Sequence, residues 1–401
     1  MRKNLILSAL ISTAILTSCH GDGLQNAEVD YIPVKLDGEK SWGMMSPDGE
    51  ILFTSEFKNE PSAVFNGIFA VEEGEGESGG VTLYYANQRP KEVPGCSKLA
   101  SAGVFYTEKL APIARKDKRI SVINTDGEEK FVLSPVKKKE IVMCTAFFSD
   151  GMLIAADEDD KVGAYNTDGE LIIPVKYDGI SLFNEGLAVA YTYNKDKDEN
   201  KYELIEKNGN IVASIKKVKR ISLSNKPLRQ AYFIDGKMPV DLEDDRCGFL
   251  TKDGDIIKCP KDVKYIGYRN DKYYIYEGEN EYVGLMEFDD DGDEVVLKAK
   301  KYKSLMPINK SMDKFIAYVD DKDIRIIDRD DETLVKLDYK DVRVLPWCWT
   351  ILAREGESWY IIDDEGKIVN KKLEIKDYDY GMPRRVRSDI KKLKEEDSYS
   401  Y

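Results

Sequence analysis

Histidine is almost missing from this chain of 401 residues; the single one is His20. A Ser-His-Asp or Cys-His catalytic arrangement therefore has no base in the body of the protein, and zinc held by histidine is excluded for the same reason. Six cysteines occur, at positions 19, 96, 144, 247, 259 and 348, and no two form a C-x-x-C pair, which removes the usual cysteine frame for metal or redox chemistry. Neither a G-x-S-x-G elbow nor a P-loop is present, so acyl transfer and nucleotide chemistry have no support, and no cofactor is expected. After the N-terminus no stretch approaches the ~20 apolar residues of a spanning helix. Ala-rich helical stretches are also missing, whereas Tyr, Val and Ile are abundant, a composition that leans towards strands.

The N-terminus carries charge, an apolar core and a cysteine in register. Arg2 and Lys3 precede an apolar run from Leu5 to Leu16, the layout of a secretory signal. Leu16-Thr17-Ser18-Cys19 then resembles the lipobox of a bacterial lipoprotein signal. That resemblance implies cleavage before Cys19 and lipid on its sulfur. Two or three acyl chains, at ~0.8 kcal/mol per buried methylene, make a stable anchor. Residues 1–18 thus read as a signal peptide and 19–28 as a lipidated, flexible spacer. His20, in place of the Asp of an inner-membrane retention signal, favours the outer membrane. Residues 29–381 form the body, and the charged segment 382–401 reads as a disordered tail. Losing Arg2 and Lys3 with the signal takes the net charge from −14 to −16. Such acidity argues against nucleic acid as a partner.

The body repeats itself. Val162 to Tyr191 alternates apolar residues, turns at Thr167-Asp168-Gly169, breaks at Pro174 and resumes twice, which fits four short strands. The frame recurs at Trp42–Gly49, Ile120–Gly127, Tyr202–Gly209, Cys247–Gly254 and Trp359–Gly366, with degraded copies at Val81–Gln88, Val283–Gly292 and Ile324–Asp331. The nine turn positions, 49, 88, 127, 169, 209, 254, 292, 331 and 366, are 35 to 45 residues apart. Asp-Gly or Asn-Gly at a hinge supplies the positive φ angles of a tight hairpin, so each unit reads as a β-meander. Small apolar segments between hinges, including Gly151–Asp157, Gly186–Thr192 and Lys314–Asp320, suit the innermost strand of a blade.

Trp42-Gly43, Val162-Gly163, Cys247-Gly248 and Val283-Gly284, each followed by two apolar residues and a polar hinge, resemble the WG-repeat family. So does Phe183-x-Glu185-Gly186-Leu187-Ala188. The resemblance spans roughly residues 30 to 380 and implies an all-β, β-propeller-like array; it brings no catalytic motif. The expectation is about nine four-stranded repeats of ~40 residues closed into a ring, since closure removes exposed sheet edges. Segment Ala27–Gly38 is expected to complete the sheet begun by Trp359 to Asn370.

Several residues are candidates for sites. Glu287-x-Asp289-x-Asp291-Gly292 opens like a calcium loop, but Lys298 stands where a bidentate Glu belongs, and Asn194-x-Asp196-x-Asp198 lacks the central Gly, so both read as acidic turns and no metal is expected. Cys247 and Cys259 lie six residues either side of Asp253, which makes a disulfide across one hairpin geometrically open. Trp347, Trp349, Trp359 and Tyr360 are candidate ligand-contact aromatics, and Tyr265, Tyr268, Tyr273, Tyr274 and Tyr276 form a second group whose alternation fits strand packing. Two functional readings remain: a non-catalytic envelope lipoprotein that binds a protein or glycan, or a carboxylate-based hydrolase of envelope polysaccharide.

Overall fold

The computed structural model describes residues 31–34, 39–62, 64, 67–73, 79–85, 89–99, 108–117, 119–136, 138–145, 147–221, 232–244, 246–278, 281–289, 292–345, 349–356, 358–369 and 386–387. Among them there are strands but no α-helix. Nine antiparallel sheets follow one another along the chain, at residues 32–57, 68–92, 96–132, 141–177, 179–215, 218–258, 265–302, 304–337 and 341–362. Sheets three to eight are meanders of four consecutive strands in which each strand pairs with the next in sequence, and sheet four carries Val386–Arg387 as a fifth; sheets one, two and nine have three strands. Isolated bridges supply part of a fourth strand, Pro61 to Val71 in sheet two and Ile362 to Ile368 in sheet nine. The protein is an all-β, β-propeller-like array.

The phase of the repeat differs from the sequence frame. Val162–Asn166 and Leu171–Tyr177 are the third and fourth strands of sheet four, whereas Gly179–Ile180 and Leu187–Asn194 begin sheet five. The repeat copy straddles two sheets because its hinge closes a regular hairpin while the passage between sheets takes one residue, Asp178. That residue carries the junction. Its carboxylate accepts from Lys161 Nζ (2.5 Å) in sheet four and from the Tyr193 amide (2.8 Å) in sheet five.

Two further expectations are corrected. The small apolar segments are second strands, paired on both edges, and not the innermost ones; every residue of Met152–Asp157 is buried. The fourth strands are the exposed edge, as in Ile211–Ile215 and Thr333–Leu337. Ile32–Val34 pairs with Trp42–Met45 in sheet one, not with the last sheet; residues 27–30 and 35–38 lie outside the described residues. The two ends of the array do touch. Thr350 Oγ1 of sheet nine donates to the Pro47 carbonyl of sheet one at 3.0 Å.

Hinge chemistry explains the repeat spacing. Asn124 Oδ1 accepts from the amides of Asp126 and Glu128, and Asn166, Asp328 and Asp363 each do the same two and four residues on. The loop is a three-residue turn ending in one left-handed residue, a glycine bulge, instead of a two-residue turn with two positive φ angles. Gly127, Gly169, Gly209, Gly254 and Gly366 take that position at φ 72° to 87°, and Asp331 takes it at 64°. Position 292 departs from the pattern, since Gly292 lies within a strand; position 88 is outside the described residues.

The WG-type glycine has a separate reason. A Cβ on Gly163, Gly248 or Gly284 would sit 2.5, 2.7 or 2.3 Å from a fourth-strand carbonyl oxygen, of Ile173, Ile257 or Leu297 respectively. At Gly163 and Gly284 the two strands also shift register. The fourth strand bulges over a position with no side chain. Gly284→Ala is expected to lower stability by about 1–3 kcal/mol through overpacking against backbone, measured as a fall in urea midpoint; an unchanged midpoint would show that the fourth strand moves freely.

Candidate functional site

The turns joining first and second strands gather at one end of each sheet. In sheets four, five and six they are two-residue turns with two left-handed residues, Asp150-Gly151, Glu185-Gly186 and Asp235-Gly236. The first two of these acids reach the following sheet, whereas Asp235 pairs with Lys237 of its own sheet. Asp150 Oδ2 accepts from the Gly186 amide (2.7 Å), and Glu185 accepts from the amides of Asp235 (2.6 Å) and Gly236 (2.9 Å). Glu108, one sheet earlier, takes the Gly151 amide. Side chains add ties in the same direction: Ser149 Oγ to the Phe183 carbonyl (2.5 Å), Asn184 Nδ2 to that of Phe233 (2.6 Å), and Asn270 Nδ2 to that of Lys310 (3.1 Å). Arg269 is fully buried and points back, donating to the carbonyls of Ile234, Tyr232 and Lys237.

These carboxylates are structural. Burial pushes the Glu108 carboxyl up, and the Asp150 charge adds to this, against the Gly151 amide and Lys207. Lys207 in turn holds Asp150 at 2.9 Å. For Glu185, burial also works upward, but the amides of Gly236 and Asp235 and the Lys252 ammonium outweigh it and hold the group below its ordinary value. The Glu of the Phe-x-Glu-Gly-Leu-Ala pattern therefore grips the next turn. Sequence reading missed this role, because the partner amides lie about 50 residues further along, at |i−j| of 50 and 51.

The candidate aromatics do not form one cluster. Trp347 lies outside the described residues. Trp359 is buried within sheet nine, with the Arg343 guanidinium 4.8 Å from its ring, and Tyr360 is half-buried on the same strand. Trp349 is different. It ends the first turn of sheet nine in a left-handed conformation, φ 58°, and its ring meets Tyr268 of sheet seven edge-on at 5.9 Å, reaching past sheet eight. Burial, then the neighbouring Tyr232, pushes the Tyr268 phenol up. Beneath Tyr268 in the chain stands Arg269, whose bonds to three carbonyls fix the strand. Tyr274 and Tyr276 are core residues of the inter-sheet packing, 0 % and 1 % exposed, as their alternation indicates.

The turn position of Trp349 belongs to glycine elsewhere: Gly151, Gly186 and Gly236 occupy it in sheets four to six. In sheet eight the left-handed residue of the first turn is Met312, at φ 52°, which is fully buried in the core. Trp349 is only half-buried. A bulky side chain in left-handed backbone is a conformational outlier, of the kind that gathers at functional positions. Trp349 and Tyr268 are the candidate binding surface, with the buried Tyr232 beside Tyr268 and Arg269 bonded to the Tyr232 carbonyl.

The remaining candidates are placed as follows. Cys19 and Cys348 lie outside the described residues. Cys259 N donates to the Cys247 carbonyl at 3.2 Å, so the two stand opposite across a hairpin centred on Asp253; both are buried and are free thiols in this structure. Glu287 pairs with Lys272 at 2.7 Å, and Asn194 Oδ1 receives the amides of Asp196 and Lys197, as in acidic turns. Among the described residues no group of three or more His, Cys, Asp or Glu is disposed to hold a metal ion.

Comparison with known proteins follows from this geometry. The profile of the family described as WG containing repeat matches residues 163–195, the stretch that runs from the third strand of sheet four to just past the second strand of sheet five. No curated protein matches the chain in sequence. Among solved structures, BamB from Moraxella catarrhalis is similar over 88% of this chain and 96% of that one, at 11% identity and TM-score 0.37. The WD40 beta propeller domain of Doa1 is similar over 61% and 85%, at 12% identity and TM-score 0.28. Dihydro-heme d1 dehydrogenase NirN is similar over 69% of this chain, at 11% identity and TM-score 0.38, and this chain spans 63% of its length.

Two outcomes are expected. Because the folded carboxyl of Glu185 lies below its ordinary 4.5, the stability it supplies is complete at neutral pH and is lost as pH falls below that value. Glu185→Gln should therefore lower the melting temperature at pH 7 while the gap from the parent protein narrows below pH ~4.5; a constant gap across pH would contradict the ionised tie. Trp349→Gly removes a ring contact and relieves left-handed strain, each about 1 kcal/mol. Its melting temperature should match the parent within a few degrees.

Proposed function

We propose that the protein is an envelope lipoprotein, anchored through Cys19, whose repeat body binds a protein or glycan without catalysing a reaction on it. The observation that carries the binding role is Trp349, a half-buried ring held in a left-handed backbone conformation where the turns of sheets four to six end in glycine. With Tyr268 it offers two perpendicular ring faces, the kind of surface on which sugar rings or apolar side chains of a partner pack. Two carboxylates at this end, Glu108 and Asp150, are engaged by backbone amides and Lys207, which favours binding over hydrolysis. The charged start, apolar run and Leu16-Thr17-Ser18-Cys19 box support the lipid anchor and an outer-membrane location.

Binding is tested by passing envelope extract and defined envelope glycans over the immobilised lipid-free body, beside the Trp349→Gly form. Saturable retention that falls at least tenfold in Trp349→Gly is the expected result. Equal retention by both forms would remove the aromatic pair from the site, and no retention would end the binding reading. For the anchor, globomycin should block processing, and Cys19→Ser should abolish acyl-label incorporation; labelling that persists in the variant would refute it.

A further inference from the structure

The first strand of each four-stranded sheet has one paired edge and one further edge. In sheets three, five, six, seven and eight no additional strand occupies that edge among the described residues. Sheet four differs. Val386–Arg387 lies on it antiparallel to Ile141–Cys144, with Met143 opposite Arg387 and Cys144 opposite Val386, so that sheet four has five strands. The dipeptide also lies against Leu110–Arg115, the second strand of sheet three.

The occupant arrives from far away. Sheet nine ends the array, and sixteen residues lie between Val369 and Val386. At ~3.3–3.6 Å per residue these reach up to about 60 Å, enough to cross a domain of this size. The segment's composition also sets it apart. In a chain of net charge −14, residues 384–394 contain Arg384, Arg385, Arg387, Lys391, Lys392 and Lys394 against the single acid Asp389. Strand addition recognises a partner through backbone bonds along an unpaired edge. Such recognition suits any extended chain that reaches the edge, which makes the chain's own segment a competitor for it.

We propose that the outer edge of Ile141–Cys144 is a strand-acceptor site, and that the C-terminal segment occupies it in cis through Val386 and Arg387, excluding other extended basic segments. This site is separate from the aromatic pair on sheets seven and nine, and its failure would leave that reading untouched.

The test is amide exchange on the full chain and on a Val386→Pro, Arg387→Pro form, which cannot donate from either ladder residue. At least one of the Met143 and Cys144 amides should exchange tenfold or more faster in the variant, with Leu153 and Ala155 on the adjoining strand unchanged. A synthetic peptide of residues 383–390, added in trans, should restore that protection in the variant and bind the intact chain at least tenfold more weakly. Unchanged exchange at both positions would overturn the proposal. So would acceleration that extends to Leu153 and Ala155, which would make the segment a staple of the sheet, or equal peptide binding by both forms.

Discussion

No sheet of this protein can bury its own faces; each depends on the sheets beside it. The apolar clusters lie between consecutive sheets, one for each of the eight junctions from the first to the ninth. Strand Met152–Asp157 shows how one strand serves two of them: Leu153 and Ala155 enter the cluster shared with sheet three, while Met152 and Ile154 enter the one shared with sheet five. At about 25 cal/mol per Å² of apolar surface removed from water, a sheet detached from its neighbour would lose its stabilisation on an entire face. Second strands therefore read as continuous apolar runs, and their small residues let neighbouring sheets approach.

With the faces committed to packing, the two ends of the sheets take on different tasks. Hinges between third and fourth strands satisfy themselves, in sheets three, four, eight and nine through an Asn or Asp that caps amides two and four residues on. In sheets three to five the turns between first and second strands instead bond outward, from Glu108, Asp150 and Glu185 to amides of the next turn. The first kind sets the size of a repeat; the second sets the orientation of one sheet to the next. Asp178 joins both tasks at the junction of sheets four and five, where a single residue separates the strands.

This division explains what could be read from the amino acids. Seven of the nine hinge positions, 49, 127, 169, 209, 254, 331 and 366, hold a left-handed turn residue, because a hinge is local: its turn residue and the alternation around it lie within ten residues. The phase was not legible, since the passage from Tyr177 to Gly179 carries no turn signal, and a permuted unit has the same period as the true one. The second-strand position of the small apolar segments was hidden for a related reason, because burial on both faces looks alike at the edge and one strand in. Glu185 was visible as part of a motif but not as a tie, for its partners at 235 and 236 are supplied by the next repeat. The aromatic group near the end of the chain was legible only as composition; that Trp349 meets Tyr268 while Trp359 turns into its own sheet depends on which way each strand faces.

Stability alone does not account for Trp349. Holding a residue with a Cβ in left-handed backbone costs about 1–2 kcal/mol, and an edge-on aromatic pair contributes about 0.5–1.5 kcal/mol beyond its burial. The two nearly cancel, and glycine in the same turn would avoid the cost, as it does in three other sheets. Met312 meets the same constraint with a side chain wholly inside the core, so burial offsets its strain. Trp349 is only partly buried, so burial offsets its strain less than it does for Met312.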